Sequence, residues 1–120
     1  MKIQLASIEK EGIIHVKIEG KITSGDFGEG NVNPLEGVIG SGWAGNRVLV
    51  DMSLVSYADS SAIGWLLQLQ KGFRGGGGAM VLYGILPTVM QLFMLLNLRS
   101  VFKIAENEAA AREMLMTPAA

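Results

Sequence analysis

The sequence predicts a single α/β domain with a mixed, mostly parallel β-sheet of four to five strands flanked by about four α-helices. From residue 47 onward, strand-like and helix-like segments alternate with short connections, which favours parallel strands joined by crossover helices. Two strand-like segments near the start flank a short turn and predict an antiparallel hairpin. The 120 residues fit one domain, predicted to span 1–120.

The N-terminal hairpin is predicted from alternation of apolar and polar residues. In "GIIHVKIEG", Ile14, Val16 and Ile18 alternate with polar side chains, the period of a strand with one buried face. The weaker strand "KIQLASIE" precedes it, and "KEG" suits the turn between them. His15 alternates with the apolar residues, so it is predicted on the solvent side of its strand.

The central part of the chain combines a glycine-rich segment with a buried strand. Residues 24–46 are predicted to be loop, with at most a short helix near "PLEGVIG". The following run "RVLVDM", residues 47–52, is continuously apolar until Asp51. It predicts a central strand that is buried on both faces.

The second half predicts three helices and two strands. A helix is expected from Ser60 to about Phe73, where the "GGGG" run stops it and turns into the next strand. That run lacks the lysine and hydroxyl of a phosphate-binding loop. The expected elements after it are a strand at 79–84, a helix at 87–96, the short strand "VFKI" and a last helix "NEAAAREMLM", in which Glu108 and Arg112 form an i, i+4 pair.

An uncharged stretch from 75 to 98 is long enough to cross a bilayer. Gly84, Pro87, Gln91 and Asn97 interrupt it, and a strand, a turn and a proline-started helix account for more of its residues. No membrane insertion is expected. Because charge precedes any apolar run at the N-terminus, a signal peptide is not expected either, and a cytoplasmic location is predicted.

Composition argues against several classes of function. The net charge is −1 and basic residues do not cluster, so nucleic-acid binding is not expected. The chain has no cysteine and one histidine, and a lone histidine lacks the second group that metal binding or catalysis requires. No G-x-S-x-G motif is present. We therefore expect no metal, no cofactor and no enzymatic activity.

The segment "YADSSAIGW", residues 57–65, is the candidate functional site. Asp59 and Ser60 both suit a helix N-cap, because a short side-chain oxygen can accept a bond from the free N–H groups of the first turn. Capping needs one residue and leaves a hydroxyl at the carboxyl end of a buried strand, where α/β proteins tend to keep their sites. A phosphate there would meet unpaired N–H groups and the positive end of the helix dipole.

The longer segment "VLVDMSLVSYADSSAIG" resembles the signature of STAS domains, which bacterial anti-sigma factor antagonists share with cytoplasmic domains of sulfate transporters. The resemblance implies that Ser61 accepts phosphate, with Asp59 and Ser60 as its first-turn contacts and Asp51 as the acid that ends the central strand. It further implies an anti-sigma factor with serine kinase activity as the partner, and a serine phosphatase that resets the switch.

The sequence departs from the antagonist pattern at two places near this site. Ala62 replaces the usual glycine after the second serine, and the usual acid and aspartate after the second strand are replaced by Lys21 and Thr23. The alternative function, which the high apolar content of residues 79–98 favours, is a non-catalytic STAS subunit of a membrane-associated transport or scaffold complex. In that case the chain would have no phosphoswitch, and Ser61 would be a plain helix cap.

A second candidate surface lies on the apolar helix predicted at 87–96. If Val89, Leu92, Phe93 and Leu96 face the core, Met90 and Met94 form a separate stripe at i, i+4 spacing. Methionine adapts to varied partners, so this stripe is a possible partner surface. The competing interpretation places both methionines under the last helix.

Overall fold

The computed structural model describes residues 1–9, 12–27 and 33–116. These residues form five strands and four α-helices, which confirms the predicted fold class. Residues 10 and 11 of the predicted "KEG" turn lie outside the described residues. The elements are β1 (Lys2–Ile8), β2 (Ile13–Ile22), α1 (Pro34–Ile39), β3 (Arg47–Ala58), α2 (Ser60–Gly76), β4 (Ala79–Tyr83), α3 (Pro87–Leu95), β5 (Lys103–Ala105) and α4 (Glu108–Met116).

The strands lie in the sheet in chain order, β1-β2-β3-β4-β5. β1 and β2 pair antiparallel, and the other neighbours pair parallel. Successive residues of the central strands point to opposite faces, so Val48 and Val50 contribute to one apolar cluster and Leu49 to another. Continuously apolar central strands are therefore explained by a sheet that is covered on both faces.

The two apolar clusters differ in size. The larger one packs α2 and α3 on one face, which we call the helix face, and includes Leu66, Phe73 and Phe93. The smaller one packs α4 on the opposite face, with Leu115 against Leu49 and Val81 among its members. α3, which carries the candidate partner surface, therefore packs against the larger cluster.

β3 is longer than the predicted strand at 47–52. It pairs with β4 only as far as Asp51 opposite Tyr83, but it continues along β2 until Ala58 lies opposite Ile22. Its second half has one neighbouring strand and many exposed side chains, so the continuous apolar signal is lost there. The prediction that Asp51 ends the central strand is therefore wrong.

The glycine-rich segment contains the predicted short helix, α1. Asn33 caps it, because Asn33 Oδ1 accepts a hydrogen bond from the Leu35 N–H at 3.1 Å. The same oxygen accepts from Trp65 Nε1 at 3.1 Å, which ties α1 to α2. Residues 28–32 of the predicted loop lie outside the described residues.

A glycine ends α2, as predicted, but the helix continues to Gly76, beyond the predicted end at about Phe73. Gly77 has a φ of +82° and its N–H bonds to the Phe73 carbonyl, a left-handed cap that favours glycine. A Cβ on Gly72 would lie 2.3 Å from the Trp43 ring, so that position also needs glycine. The uncharged run divides into β4 and α3, and no helix within the described residues is long and apolar enough to span a membrane.

His15 does not lie on a solvent-facing surface, in contrast to the prediction. α4 packs over that part of the sheet, and the His15 side chain is only 14% exposed. Its Nε2 lies 2.5 Å from the Tyr83 hydroxyl, which in turn donates to Glu108 at 3.5 Å. The histidine alternation identified the correct face of the strand, but only the position of α4 shows that this face is covered.

The predicted methionine stripe on α3 is divided between core and surface. Val89 and Phe93 are buried, as expected, and Met90 packs against the larger cluster. Met94 is exposed, and Leu96 is exposed as well, although it was expected in the core. α4 lies on the other face of the sheet, so the interpretation that it covers both methionines is wrong.

Candidate functional site at the start of helix α2

The candidate site lies where β2 and β3 end side by side. Ile22 and Ala58 are paired, and the Asp59 N–H donates to the Ile22 carbonyl at 3.2 Å. The residues that follow the two strands, Thr23 and Asp59, are therefore neighbours at the carboxyl edge of the sheet. This position confirms that α2 begins at the edge where α/β folds tend to place functional groups.

Asp59 is the N-cap of α2. Its Oδ1 accepts hydrogen bonds from the N–H groups of Ser61 at 2.9 Å and Ala62 at 3.1 Å. Its Oδ2 accepts from the Ser24 N–H at 3.3 Å. One carboxylate therefore caps the helix and also holds the segment that follows β2 against the start of α2.

Neither serine is needed for capping. Ser60 is exposed and Ser61 is half-buried in the first turn of α2. Within the described part of the chain, no hydrogen bond involves either hydroxyl. The interpretation of Ser61 as a plain helix cap is therefore wrong, because Asp59 occupies that position.

Three N–H groups in the first turn of α2 that were expected to be free for a phosphate already have acceptors. Asp59 already accepts from Ser61 and Ala62, and the Ile63 N–H bonds to the Asp59 carbonyl. A phosphate on Ser61 would meet an occupied helix N-terminus with a carboxylate beside it.

Ala62 is part of the core and not of the exposed site. Its side chain is completely buried and belongs to the larger cluster, so its methyl group points away from the Ser61 surface. Gly64 is exposed, and a Cβ there would contact nothing within 4 Å. The departure from the usual glycine at position 62 therefore leaves the approach to Ser61 open.

Thr23 is half-buried at the end of β2, and its N–H donates to Asp26 Oδ2 at 2.8 Å. The α-ammonium of Met1 donates to Asp26 Oδ1 at 2.7 Å. These two bonds, the ammonium first, lower the pKa of the Asp26 carboxyl. Asp26 was not predicted as part of the site, although the spacing of Thr23 and Asp26 fits a capping box.

Asp51 is not part of this site. Its Oδ1 accepts from the Ser53 N–H at 2.9 Å, a local contact within β3. Because a strand rises about 3.3 Å per residue, the seven strand residues after Asp51 separate it from Asp59 by roughly 20 Å. Asp51 therefore lies where the pairing of β3 with β4 ends and does not contact the serines.

Exposed apolar residues flank the serines. These apolar residues were not predicted as part of the site. Tyr57, two residues before Asp59, is 50% exposed, and Leu67 of α2 is 37% exposed. Ser60, Gly64 and Leu67 lie on one exposed stripe of the helix. The spacing of four and three residues gave a signal for this stripe, but exposure could not be judged without knowing which face of α2 contacts the sheet.

The fold and the site together define an α/β domain with two serines in the first turn of a capped helix. In the described residues, no group of three or more His, Cys, Asp or Glu side chains could hold a metal ion. The model of the STAS domain family matches residues 4–111, and the chain belongs to this family.

Solved structures have the same fold at low sequence identity. The Thermotoga maritima protein TM1081 is 17% identical over 92% of each chain, with a TM-score of 0.76. The anti-sigma factor antagonist SpoIIAA in its unphosphorylated form is 17% identical over 98% of this chain and 100% of that chain, with a TM-score of 0.71. An anti-sigma factor antagonist (STAS) domain protein from Planctomyces limnophilus is 14% identical over 96% and 98%, with a TM-score of 0.66.

Proposed function

We propose that this protein is an anti-sigma factor antagonist, a non-catalytic binding module that sequesters an anti-sigma factor with serine kinase activity. Phosphorylation of Ser61 switches this binding off. The observation that carries the proposal is the division of roles in the first turn of α2: Asp59 caps the helix, and the Ser61 hydroxyl has no hydrogen-bond partner in the described structure. The similarity to SpoIIAA, solved in unphosphorylated and phosphorylated forms, supports it.

The electrostatics of the site support a switch that acts by repulsion. A phosphate adds about −1.5 to −2 charges at neutral pH, and Asp59 already lies beside Ser61. The flanking Tyr57 and Leu67 offer an uncharged, partly apolar surface to a partner. A partner that fits the bare serine would therefore lose its contact when the anionic group is added.

The bond-making steps belong to the partners in this proposal. The kinase transfers phosphate to the Ser61 hydroxyl, and a serine phosphatase removes it again. The chain itself supplies an acceptor hydroxyl, held in a fixed first turn by Asp59. Both partners and the antagonist meet in the cytoplasm, without nucleic acid.

A second candidate function is favoured by a different surface. Met94, Leu95 and Leu96 are 54%, 80% and 48% exposed at the end of α3, and they lie beyond the residues that form the serine site. Such a surface suits constitutive attachment to a larger transport or scaffold complex. Binding through it would not depend on Ser61.

The experiment that tests the proposal is a pull-down from the native lysate with wild type, Ser61→Ala and Ser61→Asp. We expect wild type and Ser61→Ala to recover a serine kinase that Ser61→Asp does not. Ser61→Asp should fold, because a negative charge is favourable near a helix N-terminus. Recovery of the same membrane-complex subunits by all three proteins would support the second candidate instead.

A phosphorylation assay with the recovered kinase then separates the two serines. With ATP, wild type and Ser60→Ala should gain the mass of one phosphate, and Ser61→Ala should gain none. Ser60→Ala is the matched control because it removes the neighbouring hydroxyl of the same turn. Phosphate on Ser60 alone would contradict the assignment of Ser61.

A further inference from the structure

β1 is an edge strand with exposed apolar side chains. Within the described residues, β1 pairs only with β2, and no backbone hydrogen bond joins Lys2–Ile8 to another element there. Leu5 is 41% exposed and Ile8 is 69% exposed. A strand edge of this kind presents unpaired N–H and C=O groups to which another strand can add.

The apolar side chains of β1 lie on one face because the strand contains a bulge. Ile3, Leu5 and Ile8 pair with Ile18, Val16 and Ile14, which all belong to the larger cluster on the helix face. The register shifts between Leu5 and Ser7, so Ala6 is the extra residue. Without it, Ile8 would point to the opposite face from Leu5.

The sequence of β1 is complementary to itself when it is read antiparallel with Ala6 bulged. Leu5 then lies opposite Leu5 of the second copy, and Ile3 lies opposite the exposed Ile8. Lys2 lies opposite Glu9, so each end of the pair combines a cation with a carboxylate. Glu9 already binds Arg112 of its own chain, but a carboxylate has further lone pairs with which to accept from Lys2.

We propose that a second copy of this chain docks on β1, with the two β1 strands antiparallel about a twofold axis at Leu5. The two sheets then form one continuous sheet, and each copy covers the exposed Ile8 of the other with its Ile3. A twofold contact requires a self-complementary surface, which this register provides in both charge and apolar side chains. The surface lies at the β1 edge and is separate from the Ser61 switch, so the two proposals fail independently.

Sedimentation equilibrium of the full chain tests the contact. Wild type should sediment with twice the monomer mass, and Ile8→Lys with the monomer mass, because two lysines would lie against apolar Ile3 residues. Leu95→Lys is the matched control: it places the same charge at an 80% exposed leucine of α3 and should leave the dimer intact. Ile8 is exposed, so circular dichroism should show Ile8→Lys folded.

A cysteine variant tests the register, since the chain has no cysteine of its own. Directly opposite residues in a sheet have Cβ atoms about 4.5–5.5 Å apart, so Leu5→Cys should form a disulfide with its own copy under mild oxidation. Leu95→Cys should remain monomeric under the same conditions. A monomeric wild type that also fails to cross-link through Leu5→Cys would overturn the proposal, as would a dimer that Leu95→Lys disrupts and Ile8→Lys does not.

Discussion

Helices α2 and α4 contact opposite faces of the same sheet in different ways. α2 buries six side chains in the larger cluster and is capped by Asp59. α4 buries only Ala111 and Leu115. It is also held by polar contacts, since Arg112 donates to Glu9 at 2.6 Å and to Glu108 at 3.0 Å.

The two helices should therefore respond differently to salt and acid. Apolar burial responds little to salt or acid, whereas exposed ion pairs are screened by salt and lost on protonation. α2 positions Ser61, so its attachment by burial keeps the candidate site fixed when conditions change. α4 attaches to the region around His15 and Tyr83, and burial raises the pKa of the Tyr83 phenol, which keeps it a neutral donor.

Truncation of a leucine on each face should show the largest effect. Leu66→Ala should lower the free energy of unfolding by about 4 kcal/mol, because Leu66 is completely buried among large neighbours. Leu115→Ala should cost about 2 kcal/mol, since Leu115 packs in the smaller cluster, whose neighbours can relax into the space. Urea unfolding measures both, and equal losses would contradict the distinction between the faces.

Removal of the cap should have the next largest effect. Asp59→Ala should cost about 1 kcal/mol, because the N–H groups of Ser61 and Ala62 lose their acceptor. Ser60→Ala and Ser61→Ala should change the unfolding free energy little, since their hydroxyls make no bond in the described structure. If Ser61→Ala lowered the free energy of unfolding as much as Asp59→Ala does, Ser61 would have a structural role.

Removal of the α4 ion pairs should have a smaller effect that depends on salt. Arg112→Leu keeps the aliphatic contact but removes the bonds to Glu9 and Glu108. We expect a lower melting temperature at low ionic strength and a smaller difference from wild type at high salt. Leu66→Ala is the control, because its loss should be nearly the same at both ionic strengths.

Acid should also remove the stabilisation that the Arg112–Glu9 ion pair provides. The bond from Arg112 lowers the pKa of the Glu9 carboxyl, so its stabilisation is complete above the ordinary glutamate pKa of about 4.3 and is lost as the pH falls through the lower pKa of the folded protein. The melting-temperature difference between wild type and Arg112→Leu should therefore be constant near neutral pH and shrink below pH 4. A difference that grows in acid would contradict this assignment.

Most of the elements could be predicted because their signals are local. Alternation identified β2, continuous apolar residues identified the start of β3, and the glycines after Phe73 identified the end of α2. The second half of β3 was missed because its burial depends on β2 alone. Leu96 was predicted in the core but is exposed. The end of α3 is apolar throughout, so the sequence does not show which of its residues extend beyond the sheet.

The candidate site, too, could be predicted only in part from the sequence. The sequence by itself determined the α/β class, the position of the Asp59, Ser60 and Ser61 segment at a helix start, and the resemblance to STAS domains. The tertiary structure decided which residue caps α2, placed the Ala62 methyl in the core, separated Asp51 from the serines and covered His15 with α4. Capping and alternation follow from neighbours in the chain, whereas burial and side-chain pairing depend on elements that meet only after the chain has folded.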